Sequence, residues 1–157
     1  MSILKTGDKA PAFEAKDQNG ELVKLTDLSG KKVILYFYPK DLTPGCTAES
    51  CNLRDHYTEL KNNGFEVVGV SADDEKKHRK FIEKYDLPFT LLADTDKKVC
   101  EAYGVWGEKK FMGRTFLGIK RVTYVIDEKG FILHVLEKVK TKTHAEQILE
   151  ELGALTN

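Results

Sequence analysis

Two cysteines carry the clearest chemical potential of this chain, Cys46 and Cys51, which lie close together in a segment that also contains threonine and proline. A third, Cys100, makes the count odd, and 3 cysteines in 157 residues are too sparse for the disulfide framework of a small secreted domain. Closely spaced cysteines in a reducing compartment indicate redox chemistry or metal binding.

The segment before Cys46 predicts a reactive thiol in the first turn of a helix. If Thr43 is the N-cap, Pro44 takes the first helical position, where its missing N–H costs nothing, and Cys46 takes the third. The unpaired backbone N–H groups and the positive end of the helix dipole favour thiolate over thiol there. A nearby arginine would act in the same direction.

The spacing of the two cysteines makes a prediction about dynamics. In an intact α-helix the Cα atoms of Cys46 and Cys51 would be about 8.5–9 Å apart. A disulfide spans at most about 7 Å. The pair can therefore bond only if the first helical turns unwind, so that local unfolding belongs to any cycle that joins them.

The elements that position this segment alternate between strands and helices. An Asn-Gly pair between segments 13–17 and 21–25 predicts an N-terminal β-hairpin, and apolar runs predict buried strands at 33–38 and 65–71. Helical spacing predicts helices over 43–62, around Phe81, Ile82 and Tyr85, and over 143–152. The remaining predictions are a strand at 89–92, a short helix at 97–103, a surface loop at 104–119 and a hairpin of 121–126 with 131–135.

This pattern predicts an α/β protein with a mixed central sheet, helices on both faces and an N-terminal β-hairpin, which is typical of a thioredoxin-like fold. The chain has no internal repeat or linker-like stretch, so we expect one domain over 1–157.

Charge and hydropathy exclude two classes of partner. The 25 basic residues cancel the 25 acidic ones, which disfavours nucleic-acid binding. Apolar runs fall short of the roughly 18–20 residues that cross a bilayer, and the first residues lack the apolar core of a signal peptide. We expect a cytoplasmic protein that does not bind membranes.

The run Pro39, Thr43-Pro44-Gly45-Cys46-Thr47, Glu49 and Cys51 resembles the active site of peroxiredoxins, specifically the bacterioferritin comigratory protein or peroxiredoxin Q subfamily. Arg121 completes the family pattern of Pro-x-x-x-Thr-x-x-Cys with a remote arginine. The similarity covers most of the chain, because further segments match at 7–13, 70–71, 103–106 and 121–127.

The resemblance implies a thiol peroxidase that reduces hydrogen peroxide and organic hydroperoxides. It implies that Cys46 attacks the peroxide and becomes a sulfenic acid, and that Cys51 resolves it as an intramolecular disulfide, regenerated by thioredoxin or a similar dithiol reductant. It further implies a monomer and no metal, haem or flavin, because sulfur supplies the redox chemistry.

The same resemblance assigns roles to four other residues. Thr43 and Arg121 would position the peroxide, Arg121 would also donate to the sulfur, and Pro39 would shield the thiolate from water. Glu49 would orient the arginine. In the first turns of a helix Glu49 could equally complement the helix dipole, and Thr43 could also be a helix cap.

Other interpretations stay open from the residues alone. A general disulfide oxidoreductase would resemble thioredoxin, whose two cysteines are separated by two residues rather than four. A copper-binding metallochaperone on a related scaffold would need a third ligand, for which His134 is the late candidate. We expect Cys100 to be a buried, inert thiol and the four histidines to be solvated or packing residues.

Overall fold

The computed structural model describes residues 3–156, with residue 111 and residues 153–156 described by their backbone alone. The strands are β1 (Glu14–Lys16), β2 (Leu22–Lys24), β3 (Lys32–Phe37), β4 (Phe65–Ser71), β5 (Thr90–Ala93), β6 (Trp106–Phe111), β7 (Arg114–Ile119), β8 (Val122–Ile126) and β9 (Ile132–Leu136). The α-helices are α1 (Pro44–Asp55), α2 (Tyr57–Asn62), α3 (Glu75–Tyr85), α4 (Lys98–Ala102) and α5 (His144–Thr156). Within the described part of the chain, no helix is long and apolar enough to cross a membrane.

Seven strands form one mixed sheet in the order β2-β1-β5-β4-β3-β8-β9. β3 pairs in parallel with β4 and antiparallel with β8, so the apolar run that predicted a central strand lies inside the sheet. The N-terminal hairpin of β1 and β2 and the later hairpin of β8 and β9 are both antiparallel, as predicted. These pairings confirm the mixed sheet.

Alternate residues of β3, together with Tyr38, which follows it, contribute to two separate cores. Ile34, Tyr36 and Tyr38 pack on the face covered by α1, α2, α3 and α5, whereas Leu35 and Phe37 pack on the face covered by α4. Helices thus lie on both faces, with most of them on one. A strand covered on both faces needs a continuous apolar sequence, and 33–38 provides it.

The predicted helix over 43–62 is interrupted at His56. The backbone N–H of His56 donates to the Asn52 carbonyl at 3.3 Å, and the His56 Nδ1 atom also lies 3.0 Å from that oxygen. A side chain that competes for a helical carbonyl commonly marks such a break. α2 then ends at Asn62, and Gly64, with φ of 86°, provides the predicted stop.

Asn52 joins α1 to the start of α5. Its Oδ1 accepts the Ala145 N–H at 2.7 Å, and its Nδ2 donates to Glu146 Oε1 at 3.0 Å. The side chain of one helix therefore satisfies a backbone donor at the N-terminus of the other, which fixes their relative position.

The prediction of a surface loop at 104–119 is wrong. β6 and β7 pair antiparallel from Trp106 with Ile119 to Phe111 with Arg114 and form a separate two-stranded sheet. The connecting residues Met112 and Gly113 both have positive φ, at 52° and 77°, as a tight hairpin turn requires. The glycines of this segment indicated a loop, and methionine is not a typical turn residue.

Candidate active site

Cys46 lies at the third position of α1, directly after the segment that follows β3, as predicted. Cys46 is 1% exposed and packs in the core between α1 and the sheet. The helix begins with Thr43 as N-cap and Pro44 at the first position. The sulfur is therefore next to unpaired backbone N–H groups of the first turn and largely excluded from water.

The hydroxyl of Thr43 does not make the cap hydrogen bond that the sequence suggested. Thr43 has the extended backbone of an N-cap, but its Oγ1 donates to the Lys40 carbonyl at 2.8 Å, and among the described residues it accepts from no N–H of the helix. This bond closes the segment between β3 and α1. The half-buried Pro39 lies in the same segment, immediately after β3 and Tyr38.

Arg121 reaches the sulfur from the start of β8. Its Nη2 donates to Cys46 Sγ at 3.3 Å. Gly45 leaves room for this contact, because a Cβ atom there would lie 3.2 Å from Nη2. The position next to the guanidinium is therefore occupied by a residue without a side chain.

Glu49 holds the other edge of the guanidinium. Arg121 Nη1 donates to Glu49 Oε1 at 2.7 Å, and the carboxyl is fully buried. Burial raises the pKa of Glu49 to about 7, although the Arg121 charge acts to lower it. Burial acts to lower the pKa of Arg121, but the charges of Glu49 and Cys46 outweigh it and the pKa is raised. The guanidinium thus stays charged between the carboxyl and the sulfur.

Cys51 lies on the same uninterrupted helix as Cys46 and is half-buried. All three cysteines are free thiols in the described chain. Burial raises the pKa of the Cys51 thiol, which the charge of Arg54 partly opposes. The raised pKa favours the thiol form of Cys51 while this residue stays in the folded helix.

Cys100 is fully buried on α4, away from the helix that carries the other two cysteines. Burial and the Asp94 carboxylate raise the pKa of its thiol, and Asp94 also accepts the backbone N–H of Cys100 at 2.8 Å. The expectation of a buried thiol is confirmed.

Two histidines take part in buried polar clusters that the sequence did not indicate. His144, at the start of α5, is fully buried, with Nε2 2.8 Å from Thr123 Oγ1 and 3.5 Å from Glu49 Oε2. His78 on α3 is also fully buried, and its Nδ1 lies 2.6 Å from Asp41 Oδ2. Both are packing histidines as expected, but each is paired with a buried carboxyl, which spacing along the chain does not reveal.

The β6–β7 hairpin brings Lys109 into the same neighbourhood. Its Nζ donates to the Ile119 carbonyl at 2.9 Å. Burial lowers the pKa of Lys109, and the charge of Arg121 lowers it further, whereas Cys46 acts to raise it. Of the aromatic residues in this hairpin, Trp106 packs against the core and Phe116 is exposed, while the Phe111 side chain lies outside the described residues.

Metal-ligand geometry does not support the copper alternative. In the described ranges no group of three or more His, Cys, Asp and Glu side chains could hold a metal ion. His134, the candidate third ligand, lies 3.3 Å from Glu151 on α5. A cysteine beside an arginine is also a poor place for a cation.

Comparison with known proteins agrees with this geometry. The AhpC/TSA family profile matches residues 6–135. The chain is 51% identical over 152 residues to peroxiredoxin Bcp of Escherichia coli K12, with 97% of each chain covered. The chain belongs to the AhpC/TSA family, as a peroxiredoxin.

Solved structures of peroxiredoxins share the fold closely. A cysteine-to-serine variant of PrxQ from Xylella fastidiosa aligns with a TM-score of 0.92 at 30% identity, covering 100% of both chains. The bacterioferritin comigratory protein of Xanthomonas campestris aligns with a TM-score of 0.88 at 32% identity, covering 98% of this chain and 100% of that one. This peroxiredoxin therefore has the thioredoxin-like fold and is a thiol peroxidase, with a peroxide as substrate and a thiol as reductant. The copper-chaperone alternative has no support.

Proposed function

We propose that Cys46 is the peroxidatic cysteine of this peroxiredoxin. The observation that carries the proposal is the 3.3 Å contact from Arg121 Nη2 to a buried sulfur in the first turn of α1. A cation and the helix N-terminus both stabilise negative charge on the sulfur. No other cysteine of the described chain combines these features.

The reaction follows from the donors around the sulfur. The Cys46 thiolate attacks one peroxide oxygen, an S–O bond forms as the O–O bond breaks, and the other oxygen leaves as water or an alcohol after taking up a proton. Negative charge moves from sulfur to the leaving oxygen. Preorganised donors that face both atoms lower the barrier.

Each supporting residue has a distinct part in this proposal. Arg121 donates to sulfur and to peroxide, and Thr43 Oγ1, whose hydrogen is directed to the Lys40 carbonyl, presents lone pairs to a peroxide O–H. Pro39 shields the site from water. Glu49 orients the guanidinium through the 2.7 Å bond to Nη1.

Cys51 is proposed as the resolving cysteine. Its thiol displaces hydroxide from the Cys46 sulfenic acid, so that a disulfide and water are formed. Both residues lie within α1, where helix geometry places their Cα atoms about 8.5–9 Å apart. The first turns of α1 therefore unwind before the bond closes.

We propose thioredoxin or a similar dithiol protein as the reductant, because a disulfide formed within one chain is reduced by thiol–disulfide exchange. Organic hydroperoxides are included among the substrates, and the Xanthomonas campestris relative, described as reducing alkyl peroxides, supports this. We further propose that the single domain acts as a monomer in the cytoplasm, where a dithiol reductant is available.

Cysteine variants test these assignments. Peroxide consumption is measured with thioredoxin and thioredoxin reductase, and the products are followed by mass spectrometry. Cys46→Ser is expected to abolish turnover. Cys51→Ser is expected to consume one equivalent of peroxide and stop as a sulfenic acid.

Cys100→Ser is the matched control, because it makes the same chemical change at a buried cysteine outside α1. It is expected to turn over and form the Cys46–Cys51 disulfide. Full activity of Cys46→Ser would exclude the peroxidatic assignment, and multiple turnovers by Cys51→Ser with the same reductant would exclude the resolving one.

A further inference from the structure

The Glu49 carboxyl has one oxygen that its ion pair with Arg121 does not use. Oε1 accepts from Nη1, whereas Oε2 is buried and has no hydrogen-bond partner among the residues that the structure describes. A buried carboxylate oxygen that has lost water without gaining a donor is strongly unfavourable. The Nε2 atom of His144 lies 3.5 Å from it.

The surroundings of His144 determine which ring nitrogen carries hydrogen. The Gln147 amide is oriented by two bonds: its Nε2 donates to the Lys138 carbonyl at 2.8 Å, and its Oε1 accepts the Lys140 N–H at 3.1 Å. That oxygen also lies 3.0 Å from His144 Nδ1. Because the oxygen only accepts, Nδ1 must carry a hydrogen.

The second ring nitrogen then faces Glu49 in one of two states. In a neutral ring, Nε2 has a lone pair that accepts from the Thr123 hydroxyl at 2.8 Å. An ionised Glu49 would direct its unsatisfied oxygen at that lone pair, which is repulsive. One proton, on Oε2 or on Nε2, removes the conflict in either position.

We propose that Glu49 and His144 share one proton in the reduced protein, and that His144 is thereby a positioning residue that keeps the charge of Arg121 available to Cys46. This inference rests on the proposed role of Cys46. With the proton, the pair has no net charge and the Arg121 cation is balanced by the thiolate. Without it, Glu49 neutralises Arg121 and the sulfur loses part of its stabilisation.

Arg121, before β8, is the charged group that acts on both members of the pair, and Tyr36 on β3 lies near Glu49. Cys46, on the same helix as Glu49, and Lys109 on β6 act on Arg121. Burial raises the pKa of Tyr36, so that its hydroxyl stays neutral. Burial raises the pKa of Glu49 to about 7 and lowers that of His144 to about 4, which places the shared proton on Glu49.

The proton is observed directly by NMR of reduced protein labelled with ¹⁵N at histidine. His144→Leu assigns the signal. In the wild type we expect hydrogen on Nδ1 and an Nε2 shift that changes with pH around a midpoint of about 7, as Glu49 ionises. In Glu49→Gln the amide donates permanently to Nε2, and this step is expected to disappear. A hydrogen fixed on Nε2 alone, or the same titration in Glu49→Gln, would overturn the proposal.

The consequence for the sulfur is measured by the pH dependence of Cys46 alkylation by iodoacetamide, in a background with Cys51→Ser and Cys100→Ser. His144→Leu removes the partner of the shared proton, so Glu49 ionises and Cys46 becomes reactive at higher pH. We expect the midpoint to rise by about one unit, which is about tenfold slower alkylation below it. An unchanged midpoint would contradict the role of His144.

The matched control is His134→Leu, which makes the same change at a histidine in the middle of β9 that contacts Glu151. It is expected to leave the alkylation midpoint in place, since a purely structural effect lowers stability without moving this midpoint. If His144→Leu does not fold, the NMR comparison of wild type with Glu49→Gln still decides. Peroxide turnover by Cys46→Ser would refute the proposed function while leaving the NMR result intact, so the two failures are distinguishable.

Discussion

The molecule contains two buried pairs of a carboxyl and an imidazole that differ in how completely they are bonded. In the first, Asp41 Oδ2 lies 2.6 Å from His78 Nδ1, Asp41 Oδ1 accepts from Tyr38 at 2.5 Å, and His78 Nε2 donates to the Leu92 carbonyl at 2.9 Å. In the second, Glu49 Oε2 and His144 Nε2 are separated by 3.5 Å, and that oxygen lacks a bond within the described chain.

The difference matches a structural role for the first pair and the proton-sharing role proposed above for the second. Asp41 belongs to the segment between β3 and α1. Its bonds to His78 on α3 and to Tyr38, the residue after β3, hold that segment where the next residue, Leu42, has a positive φ of 66°. A fully satisfied network of this kind specifies one conformation. The incompletely bonded pair is joined to the Cys46 sulfur through Arg121, and in the proposal above the gain or loss of its proton changes the charge beside that sulfur.

Replacing His78 and His144 one at a time is expected to give the largest changes in the free energy of unfolding. His78→Leu leaves the Asp41 carboxyl buried without its partner, so we expect the free energy of unfolding to fall by about 3–5 kcal/mol. His144→Leu leaves Glu49 paired with Arg121 and is expected to lower it by about 1–3 kcal/mol. Urea unfolding measures both, with the half-exposed His134→Leu as the control expected within about 0.5 kcal/mol of wild type. Equal losses at His78 and His144 would contradict the comparison.

The pH dependence of stability gives the next largest effect. The pKa of Glu49 is raised to about 7 in the folded protein. Its contribution to stability is therefore fully present below the pKa that Glu49 has in the unfolded chain, and it is lost as pH rises through 7. The pKa of His144 is lowered to about 4, so it contributes stability that grows from pH 4 to its ordinary value near 6.5. Between the unfolded-state pKa of Glu49 and pH 6.5, the two groups change the free energy of unfolding with pH in opposite directions. Their effects cancel there, because Glu49 and His144 together hold one proton in both the folded and the unfolded state.

Glu49→Gln removes one of these slopes. The unfolding free energy of the variant is expected to rise with pH across the window from 4 to 6.5 by an amount on the order of 3 kcal/mol relative to wild type. Urea unfolding at several pH values measures the difference. A constant offset between the two proteins across this window would show that the two groups do not compensate each other.

Gly45→Ala gives the smallest expected change in the free energy of unfolding. It affects the contact of Arg121 with Cys46 and leaves both carboxyl–imidazole pairs unchanged. The added Cβ would lie 3.2 Å from Arg121 Nη2, so the guanidinium must shift by a few tenths of an ångström. We expect the rate with peroxide to fall by about tenfold because the donor is misplaced. Stability is expected to stay the same or rise by up to about 1 kcal/mol, since alanine favours a helix. A stability loss like that of His78→Leu would show that the two regions are not independent.

The sequence predicted the parts of the site that are close along the chain. Thr43, Pro44 and Cys46 follow the rules for a helix N-terminus, and the structure places them there. The approach of Arg121 and Glu49 came from resemblance to a family, because no spacing rule joins the start of β8 to α1. His144 was missed for the same reason, since its contact with Glu49 exists only after α5 packs on α1.

The β6–β7 hairpin was missed for a local reason. Its turn needs two consecutive residues with positive φ, which Asn-Gly commonly provides, whereas here Met112 and Gly113 adopt that geometry. By contrast, Asn19-Gly20 is a common turn pair and predicts the hairpin of β1 and β2, which the structure confirms.

The bond from Asn52 to the backbone of Ala145 sets a limit on the unwinding of α1 in the proposed redox cycle. Asn52 is the residue after Cys51, so any uncoiling of α1 that brings the two sulfurs together ends where the C-terminal helix takes hold of the chain. We therefore expect the proposed disulfide form to keep α5 docked and to unwind only the first one or two turns of α1. In the proposed cycle, the first turns of α1 unwind and refold at each turnover while the packing of α5 against the sheet stays unchanged.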